Sequence, residues 1–152
     1  MSFDNPQGTR GARQPAGPVT AFVNRLMAKV AGRRGSMMGM DVLTLTTIGR
    51  RTGEERTTPL ARFSDPQGAV LVVASAAGAL GNPAWYHNLA ANPDRVRMEI
   101  DGRVTYVAAE QLHGQERAAA WERITAAMPR FSGYQEKTDR EIPVIRLVPR
   151  TA

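Results

Sequence analysis

The sequence contains no cysteine, and this absence excludes several kinds of protein. Disulfide frameworks, thiol catalysis, zinc fingers and iron–sulfur clusters all need cysteine. Only two histidines are present, so we predict no metal site. No apolar run approaches the ~20 residues that a membrane-spanning helix needs, and the N-terminus lacks the charged and then apolar layout of a secretory signal. With 152 residues the chain has the length of one domain, and we expect a soluble, cytoplasmic protein.

Lysine is also scarce, because only Lys29 and Lys137 among the 20 basic residues are lysines. The formal net charge is +6, and residues 1–56 hold nine basic against four acidic residues, so +5 of the charge lies there. The planar guanidinium of arginine suits phosphate and carboxylate groups. This distribution predicts an anionic partner, namely a phosphorylated cofactor, a nucleic acid or an anionic membrane surface.

The N-terminal part of the chain divides into a tail and a helix. Residues 1–17 are rich in Gly, Pro, Gln and Arg without an apolar period, which predicts a disordered tail. Apolar residues then recur at helical spacing, so 18–36 is predicted to be a basic amphipathic helix and loop. The apolar face of this helix suits packing on the protein or contact with an anionic membrane. Residues 37–152 are predicted to form the folded domain.

From residue 42 onward the pattern changes to that of β-strands separated by turns. Pro59 marks the second strand as an edge or a bulge. The segment 69–74 is nearly all apolar and should be buried on both faces. Strands are expected at 42–48, 54–63, 69–74, 95–100, 103–112 and 142–148.

Two helices are predicted between these strands. Asn82 is expected to cap a helix whose first residue is Pro83 and whose last is Ala91. A second helix is expected over 115–128, followed by an irregular stretch over 129–141. About six mainly antiparallel strands with flanking helices in one short chain predict an α+β fold built on a small β-barrel.

The turn between the first two strands is the first candidate site. Its two glycines let the backbone turn tightly and present N–H groups to an anion. Threonine and arginine side chains add hydrogen-bond donors that suit a phosphate. An ordinary polar hairpin with solvated arginines is the alternative interpretation. The turn and its neighbour comprise Gly49, Arg50, Arg51, Thr52, Gly53 and Arg56.

Three further segments carry candidate functional residues. Small residues over 74–78 follow the buried strand and could border a flat ring or form a plain turn. Aromatic and amide side chains over 82–89 converge at a helix start, where anions are favoured, although they could equally be core anchors. Aromatic residues over 131–140 could cover a pocket, and we interpret Asp139 and Arg140 there as a local ion pair.

These segments, in this order and spacing, resemble the deazaflavin-dependent nitroreductase family, whose members bind coenzyme F420 and include quinone and nitro reductases. The resemblance covers about residues 41–149 and rests on four blocks: LTTIGRRTGEERTTPL, VVAS, GNPAWYHNLAANP and YQEKTDREIPV. It implies a split β-barrel of the FMN-binding type as the cofactor-binding domain. It also implies hydride transfer from reduced F420 to a quinone, an activated enone or lactone, or a nitro-aromatic compound.

The resemblance also implies roles for individual residues. The phosphate and acidic tail would meet Arg50, Arg51, Thr52, Gly53 and Arg56. The ring would be lined by Pro59, Ala74, Ser75 and Ala76 and closed by Ala84, Trp85, Tyr86 and Asn88. Tyr134 or Ser75 would donate a hydrogen bond to a developing oxyanion as catalytic residues. The substrate would be bordered by Phe131, Tyr134 and Lys137. Some relatives carry Lys in place of Ala76, a tyrosine in place of Phe131 and an aromatic residue in place of Lys137, which alters the substrate pocket.

Other classes of protein remain as alternatives. They are a split-barrel reductase that uses FMN, and a non-catalytic basic protein that binds a cofactor or nucleic acid. The sequence shows no helix-turn-helix, zinc module or RNP motif, so we predict no nucleic-acid partner. We expect a monomer or weak dimer that meets a small-molecule hydride acceptor. Peripheral contact with the inner face of the cell membrane would use the N-terminal helix.

Overall fold

The computed structural model describes residues 3–12, Met27, 36–37 and 40–150. The helix and loop predicted over 18–36, and the membrane role given to that helix, lie outside the described residues apart from Met27, which is helical, and Ser36. Within the described part of the chain, no helix is long and apolar enough to cross a membrane.

The described residues form an α+β structure in which every pairing between named strands is antiparallel. The strand order is β1-β2-β6-β7-β8-β5-β4, and β3 pairs with β2. The strands are β1 Ser36–Met37, β2 Met40–Ile48, β3 Glu55–Ala61, β4 Phe63–Ser64, β5 Val70–Val73, β6 Val96–Ile100, β7 Arg103–Gln111 and β8 Val144–Pro149. The helices are α1 Ala84–Ala91, α2 Gly114–Ala127 and α3 Arg130–Lys137, and a 3₁₀ turn covers Ala76–Gly78. This confirms the predicted fold class and its six main strands.

The strands β3 and β4 belong to one bent segment that connects the two ends of the sheet. Val42 to Ile48 of β2 pair with residues of β3, whereas Phe63 of β4 pairs with Leu71 of β5. The bend lies at Arg62, whose N–H donates to Asp41 O at 2.9 Å and whose Nε–H donates to Val42 O at 3.0 Å. The sheet therefore curls into a barrel.

Proline in β3 lies where the sheet tolerates it. Pro59 pairs with Thr44 of β2, and β2 is the only strand that β3 pairs with in the described structure. A proline has no N–H to donate, so it is confined to such an edge. The prediction of an edge strand at this position is confirmed.

Strand β5 separates two apolar cores. Val72 packs inside the barrel with Leu43 and Leu45. Leu71 and Val73 point the other way and pack against the layer formed by α2 and α3. Burying a large aliphatic side chain stabilises the fold by ~1.5–3 kcal/mol, so both faces of the strand contribute. The predicted burial of this strand on both faces is confirmed.

Helix α1 closes the barrel, and α2 and α3 cover its outer face beside β5 and β8. Trp85 and Leu89 of α1 belong to the barrel core, and Ile124 of α2 and Phe131 of α3 belong to the second core. The irregular stretch predicted over 129–141 is therefore wrong in part, because α3 occupies most of it. Proline at position 129 ends α2 and starts α3, since its missing N–H is tolerated only at a helix start.

The N-terminal segment, residues 3–12, lies against the barrel, where the sequence predicted a disordered tail. The Phe3 ring meets the Tyr86 ring edge to face at 5.6 Å. Gly8 N–H donates to Leu80 O at 2.9 Å, and a Cβ on Gly11 would lie 2.3 Å from Leu80 N. These contacts are made mostly by backbone and glycine, so they leave no apolar period in the sequence.

Candidate active site

A groove of about 850 Å³ lies between the β2–β3 turn, the first half of β3 and the start of α1. We call it the turn–helix groove. It brings together residues that are far apart in sequence and were predicted from separate segments. Its lining residues are Gly49, Arg50, Arg51, Thr52, Glu55, Arg56, Thr57, Thr58, Ala84, Trp85 and Asn88.

The β2–β3 turn has a fixed backbone. Gly49 N–H donates to Glu54 O at 2.7 Å, and Gly53 N–H donates to Gly49 O at 2.8 Å. Gly53 has a φ of 73°, which favours glycine. The hydroxyl of Thr52 accepts from Glu54 N–H at 3.2 Å, and a Cβ on Gly49 would lie 2.8 Å from that oxygen. The turn thus requires glycine at both ends.

The side chain of Asn88 joins the turn to helix α1. Its Oδ1 accepts from Arg50 N–H at 3.1 Å, and its Nδ2 donates to Thr47 Oγ1 at 3.2 Å. Asn88 is buried, so an unpaired amide there would be costly. This residue therefore fixes the distance between the two walls of the groove.

The groove has an excess of positive charge. Arg50 and Arg51 are exposed and form no ion pair with another described residue. Arg56 lies 3.4 Å from Glu54, with both side chains more than half exposed, so this pair is weak. The Glu55 carboxylate pairs with Arg97, which lowers the pKa of Glu55. The carboxylate of Glu55 is therefore neutralised locally and offsets little of the arginine charge.

His87 lies beside the groove and does not add to its charge. Burial, and next to it the positive charge of Arg50, lower the pKa of His87 below its ordinary value of 6.5. The imidazole is therefore neutral at neutral pH. Its ring meets the Tyr86 ring edge to face at 5.5 Å.

Tyr86 does not line the turn–helix groove, although the sequence placed it beside a cofactor. Its hydroxyl donates to Gln111 Oε1 at 2.6 Å and accepts from Asn5 N–H at 3.1 Å. Burial raises the pKa of Tyr86. The residue holds α1 to β7 and to the N-terminal segment. Among the other predicted cofactor residues, those that do not line this groove are Gly53, Pro59, Ala74, Ser75 and Ala76.

The residues predicted to meet the substrate lie around helix α3. Phe131 is 7% exposed, and its ring contacts those of Phe63 at 5.6 Å and Tyr134 at 5.4 Å, which makes it a core residue. Tyr134 is half-buried, and the Nζ atom of Lys137 lies 5.8 Å from its ring centroid. The Tyr134 hydroxyl has no hydrogen-bond partner among the described residues. Like Ser75, Tyr134 does not line the turn–helix groove.

The local ion pair expected between Asp139 and Arg140 is not present. The Asp139 carboxylate accepts from Thr9 N–H at 2.7 Å and from Arg10 N–H at 3.0 Å, whereas Arg140 points into the fold. Arg140 Nη1 donates to Asn82 Oδ1 at 2.6 Å. Asn82 is therefore a buried partner of arginine and not the predicted helix cap, and α1 begins after Pro83. Sequence spacing carries no signal for this contact, because its two residues are 58 apart.

A comparison with protein-family models matches residues 19–149 to the F420H2-dependent quinone reductase family. The chain belongs to this family. Membership makes it an oxidoreductase that uses coenzyme F420 in its reduced form and delivers a hydride to a small-molecule acceptor.

Individual relatives agree with the family assignment. An F420H2-dependent quinone reductase of Mycobacterium tuberculosis is 39% identical over 111 residues, which are 71% of this chain and 73% of that protein. The solved structure of an F420H2-dependent reductase, FDR-A, is 36% identical, with a TM-score of 0.63 over 70% of this chain and 92% of its own. A solved structure described as a domain-swapped dimer is 32% identical, with a TM-score of 0.64 over 86% of this chain and 99% of its own.

The turn–helix groove of this F420H2-dependent reductase suits the anionic part of its cofactor. Arg50, Arg51 and Arg56 line one volume of about 850 Å³, and guanidinium groups form charge-assisted hydrogen bonds with phosphate and carboxylate groups. The start of helix α1 at Ala84 borders the same volume, and the positive end of a helix dipole favours anions. Residues 57 and 58, which the sequence did not single out, add two threonine side chains to the wall.

Proposed function

We propose that the turn–helix groove holds the phosphate and acidic tail of F420, and that the enzyme reduces quinones. Activated enones or lactones and nitro-aromatic compounds are further proposed acceptors, because they too are electrophiles that accept a hydride. The observation that supports the proposal is the convergence of Arg50, Arg51 and Arg56 on one groove with the start of α1.

The groove is built to bind an anion without rearranging. Asn88 fixes the turn to α1, and the glycines at 49 and 53 fix the turn itself. The arginine side chains of the turn are free of ion pairs within the described structure, so no internal partner competes with a phosphate or carboxylate for Arg50 and Arg51. Hydrogen bonds to charged groups contribute ~1.5–3 kcal/mol each. Two arginines with such bonds account for tight binding of an anionic tail.

The ring side of the site is proposed to lie between Pro59, the start of α1 and the turn that follows β5. When bound, reduced F420 supplies the hydride. Ala74, Ser75, Ala76 and Ala84 have small side chains, which leave room for a flat ring. Tyr134 is half-buried, and its hydroxyl has no hydrogen-bond partner among the described residues, so it can donate a hydrogen bond to an oxygen that gains negative charge. The Ser75 hydroxyl is the second donor in this proposal, and Lys137 borders the acceptor with Tyr134.

The proposed cellular setting is the cytoplasm, with peripheral contact at the inner face of the membrane. The amphipathic pattern over 18–31 and the arginines Arg33 and Arg34 support this contact. Many quinones dissolve in the bilayer, so contact would bring the enzyme to its acceptor. The solved relative described as a domain-swapped dimer supports a dimer as one accessible state.

Titration with oxidised F420, followed by its fluorescence, tests the proposed function. The double substitution Arg50→Ala/Arg51→Ala should weaken binding on the order of 100-fold, because two charged hydrogen-bond donors are removed. The matched control Arg95→Ala/Arg103→Ala removes two exposed arginines elsewhere on the barrel and should leave the affinity unchanged. Equal binding by the Arg50/Arg51 variant and the parent protein would contradict the proposal. Tighter binding of FMN than of F420 would favour a flavin reductase instead.

A further inference from the structure

The turn that follows β5 has a strained backbone. Ala76 and Ala77 have φ values of 46° and 54°, and Gly78 has a φ of 82°. Alanine rarely adopts the left-handed region, and two consecutive alanines in it persist only where surrounding structure holds them. A Cβ on Gly78 would lie 2.6 Å from Tyr134 O, so the turn also packs directly on helix α3. Some part of the fold must hold this conformation.

The guanidinium of Arg140 packs against the turn and uses its donors on the turn, on the end of β5 and on the segment before α1. Arg140 is 2% exposed. Its Nε donates to Ala79 O at 3.3 Å, and Nη2 donates to Ala79 O at 3.2 Å and to Ser75 O at 2.9 Å. Its Nη1 donates to Ala74 O at 3.1 Å and to Asn82 Oδ1 at 2.6 Å. A guanidinium has five N–H groups, and each has a partner.

The backbone of Arg140 is fixed from helix α3. Gln135 Nε2 donates to Arg140 O at 2.7 Å, and Gln135 Oε1 accepts from Ile142 N–H at 3.0 Å. Arg140 N–H donates to Thr138 Oγ1 at 3.1 Å. The arginine is therefore placed by one element and holds two others, namely the turn after β5 and the segment before α1.

The charge of Arg140 has no counterion beside it in the part of the chain that the structure describes. Its partners are three backbone carbonyls and one amide oxygen, and no carboxylate oxygen contacts it among the described residues. Arginine remains charged in proteins. The turn over residues 75–79 thus lies on a buried positive charge.

We propose that Arg140 is a positioning residue for the reductase. It bonds the carbonyls of Ala74, Ser75 and Ala79, which flank the left-handed residues 76–78, and ties this turn to Asn82 in front of α1. It thereby sets the surface against which the cofactor ring lies, separately from the arginines that hold the tail. The inference rests on the proposed function.

The test separates ring binding from tail binding with two probes. One probe is oxidised F420, and the other is its deazaflavin fragment without phosphate and glutamates. Arg140→Lys keeps the charge but has three donors for five contacts, so fragment affinity should fall at least tenfold. Arg50→Ala/Arg51→Ala should weaken binding of F420 and leave the fragment unaffected. If that double variant binds F420 as tightly as the parent protein does, the proposed function is wrong. That result would say nothing about Arg140.

The matched control is Arg117→Lys. Arg117 is partly buried, and its Nη2 donates to Ile142 O at 2.7 Å, away from the turn. This control should bind the fragment within twofold of the parent. Thermal unfolding establishes that each variant is folded. If Arg140→Lys does not fold, Asn82→Ala removes a single acceptor of Arg140 and should weaken fragment binding about threefold.

A rescue experiment distinguishes positioning from general loss of structure. Ala77 is exposed, and glycine adopts its φ of 54° without strain. Adding Ala77→Gly to Arg140→Lys should restore most of the lost fragment affinity, because the turn then needs less restraint. Unchanged fragment binding in Arg140→Lys, or a loss that Ala77→Gly does not reduce, overturns the proposal.

Discussion

Arginine side chains have three different surroundings in this protein. Arg50 and Arg51 are exposed and keep their charge available to a ligand. Arg140 is buried among carbonyl oxygens, and its guanidinium donates hydrogen bonds to them. Its donors therefore hold the backbone and are not available to a ligand. Arg146 is paired with the carboxylates of Asp65, Glu110 and Glu116, which outnumber it, so its positive charge is not available to a ligand. Residue type alone therefore does not distinguish a binding arginine from a structural one.

The hydroxyl of Tyr134 is the donor whose removal tests the chemical step. Tyr134→Phe should lower kcat on the order of 10²–10³, or ~2.7–4 kcal/mol in the barrier, because a developing oxyanion loses a hydrogen bond. Binding of oxidised F420 should be unchanged. The rate at which menadione oxidises enzyme-bound reduced F420 in a single turnover measures the effect.

The control for this substitution is Tyr106→Phe, which removes a hydroxyl from an exposed ring on β7. Turnover of this variant should equal that of the parent. Normal turnover in Tyr134→Phe would show that Tyr134 is not the donor, and Ser75 would then be the remaining candidate.

At single positions, the sequence predicted the chemistry of a side chain better than whether that side chain faces the groove or the core. Arg50 and Arg51 were expected at the cofactor's tail and Trp85 at its ring, and the structure places all three on the turn–helix groove. Tyr86 and Phe131 were expected at the ligand, but both face the core. Aromatic residues serve in cores and sites alike, so only their packing partners, which come from distant parts of the chain, distinguish the two roles.

Among the elements, the strands were predictable because their apolar pattern is local. Each of the six predicted strands is present, and the second is interrupted at Arg62, where it changes partner. Helix α3 was missed, since Pro129 and Gly133 both suggest irregular backbone and its helical form depends on packing against the turn over 76–78. The packing of the N-terminal segment on the barrel was not predicted, because contacts made by backbone and glycine leave no apolar pattern in the sequence.

The N-terminal segment is held partly by Asp139, and this contact should make stability depend on pH. Hydrogen bonds from the Thr9 side chain, then from the N–H groups of Thr9 and Arg10, lower the pKa of Asp139 to about 2 from 3.8. A depressed pKa in the folded state means that the carboxylate stabilises the fold above the unfolded pKa and that this stability is lost as pH falls towards about 2. Asp139→Asn should therefore lower the Tm near neutral pH, with a difference that shrinks between about pH 4 and pH 2.

Thermal unfolding across this pH range measures the effect. Glu136→Gln provides the control, because Glu136 is an exposed residue of α3 without an ion pair among the described residues. Its Tm difference from the parent should be small at every pH. A constant difference for Asp139→Asn from neutral to acid would contradict the contact with residues 9 and 10.

For the whole molecule, the charge is concentrated in the N-terminal part of the chain, and this concentration predicts sensitivity to salt. The protein should sediment with anionic vesicles at low ionic strength and stay in the supernatant at high ionic strength. Arg33→Gln/Arg34→Gln should lower the affinity for anionic vesicles about 30-fold, because each arginine near an anionic surface contributes ~1 kcal/mol to binding. The control Arg95→Gln/Arg103→Gln has the same net charge. Equal weakening by both variants, or sedimentation with neutral vesicles, would contradict membrane contact through the helix that the sequence predicts over 18–31.

The two cores that share β5 divide the enzyme into parts that can change independently. The residues proposed to hold the cofactor's tail are mostly encoded in one short stretch, 49–58, which is fixed to α1. Helix α3 belongs to the other layer and packs on the turn after β5, which is proposed to border the cofactor ring. On the proposed assignment, substitutions in α3 would change which electron acceptor a related enzyme reduces and would leave its coenzyme the same.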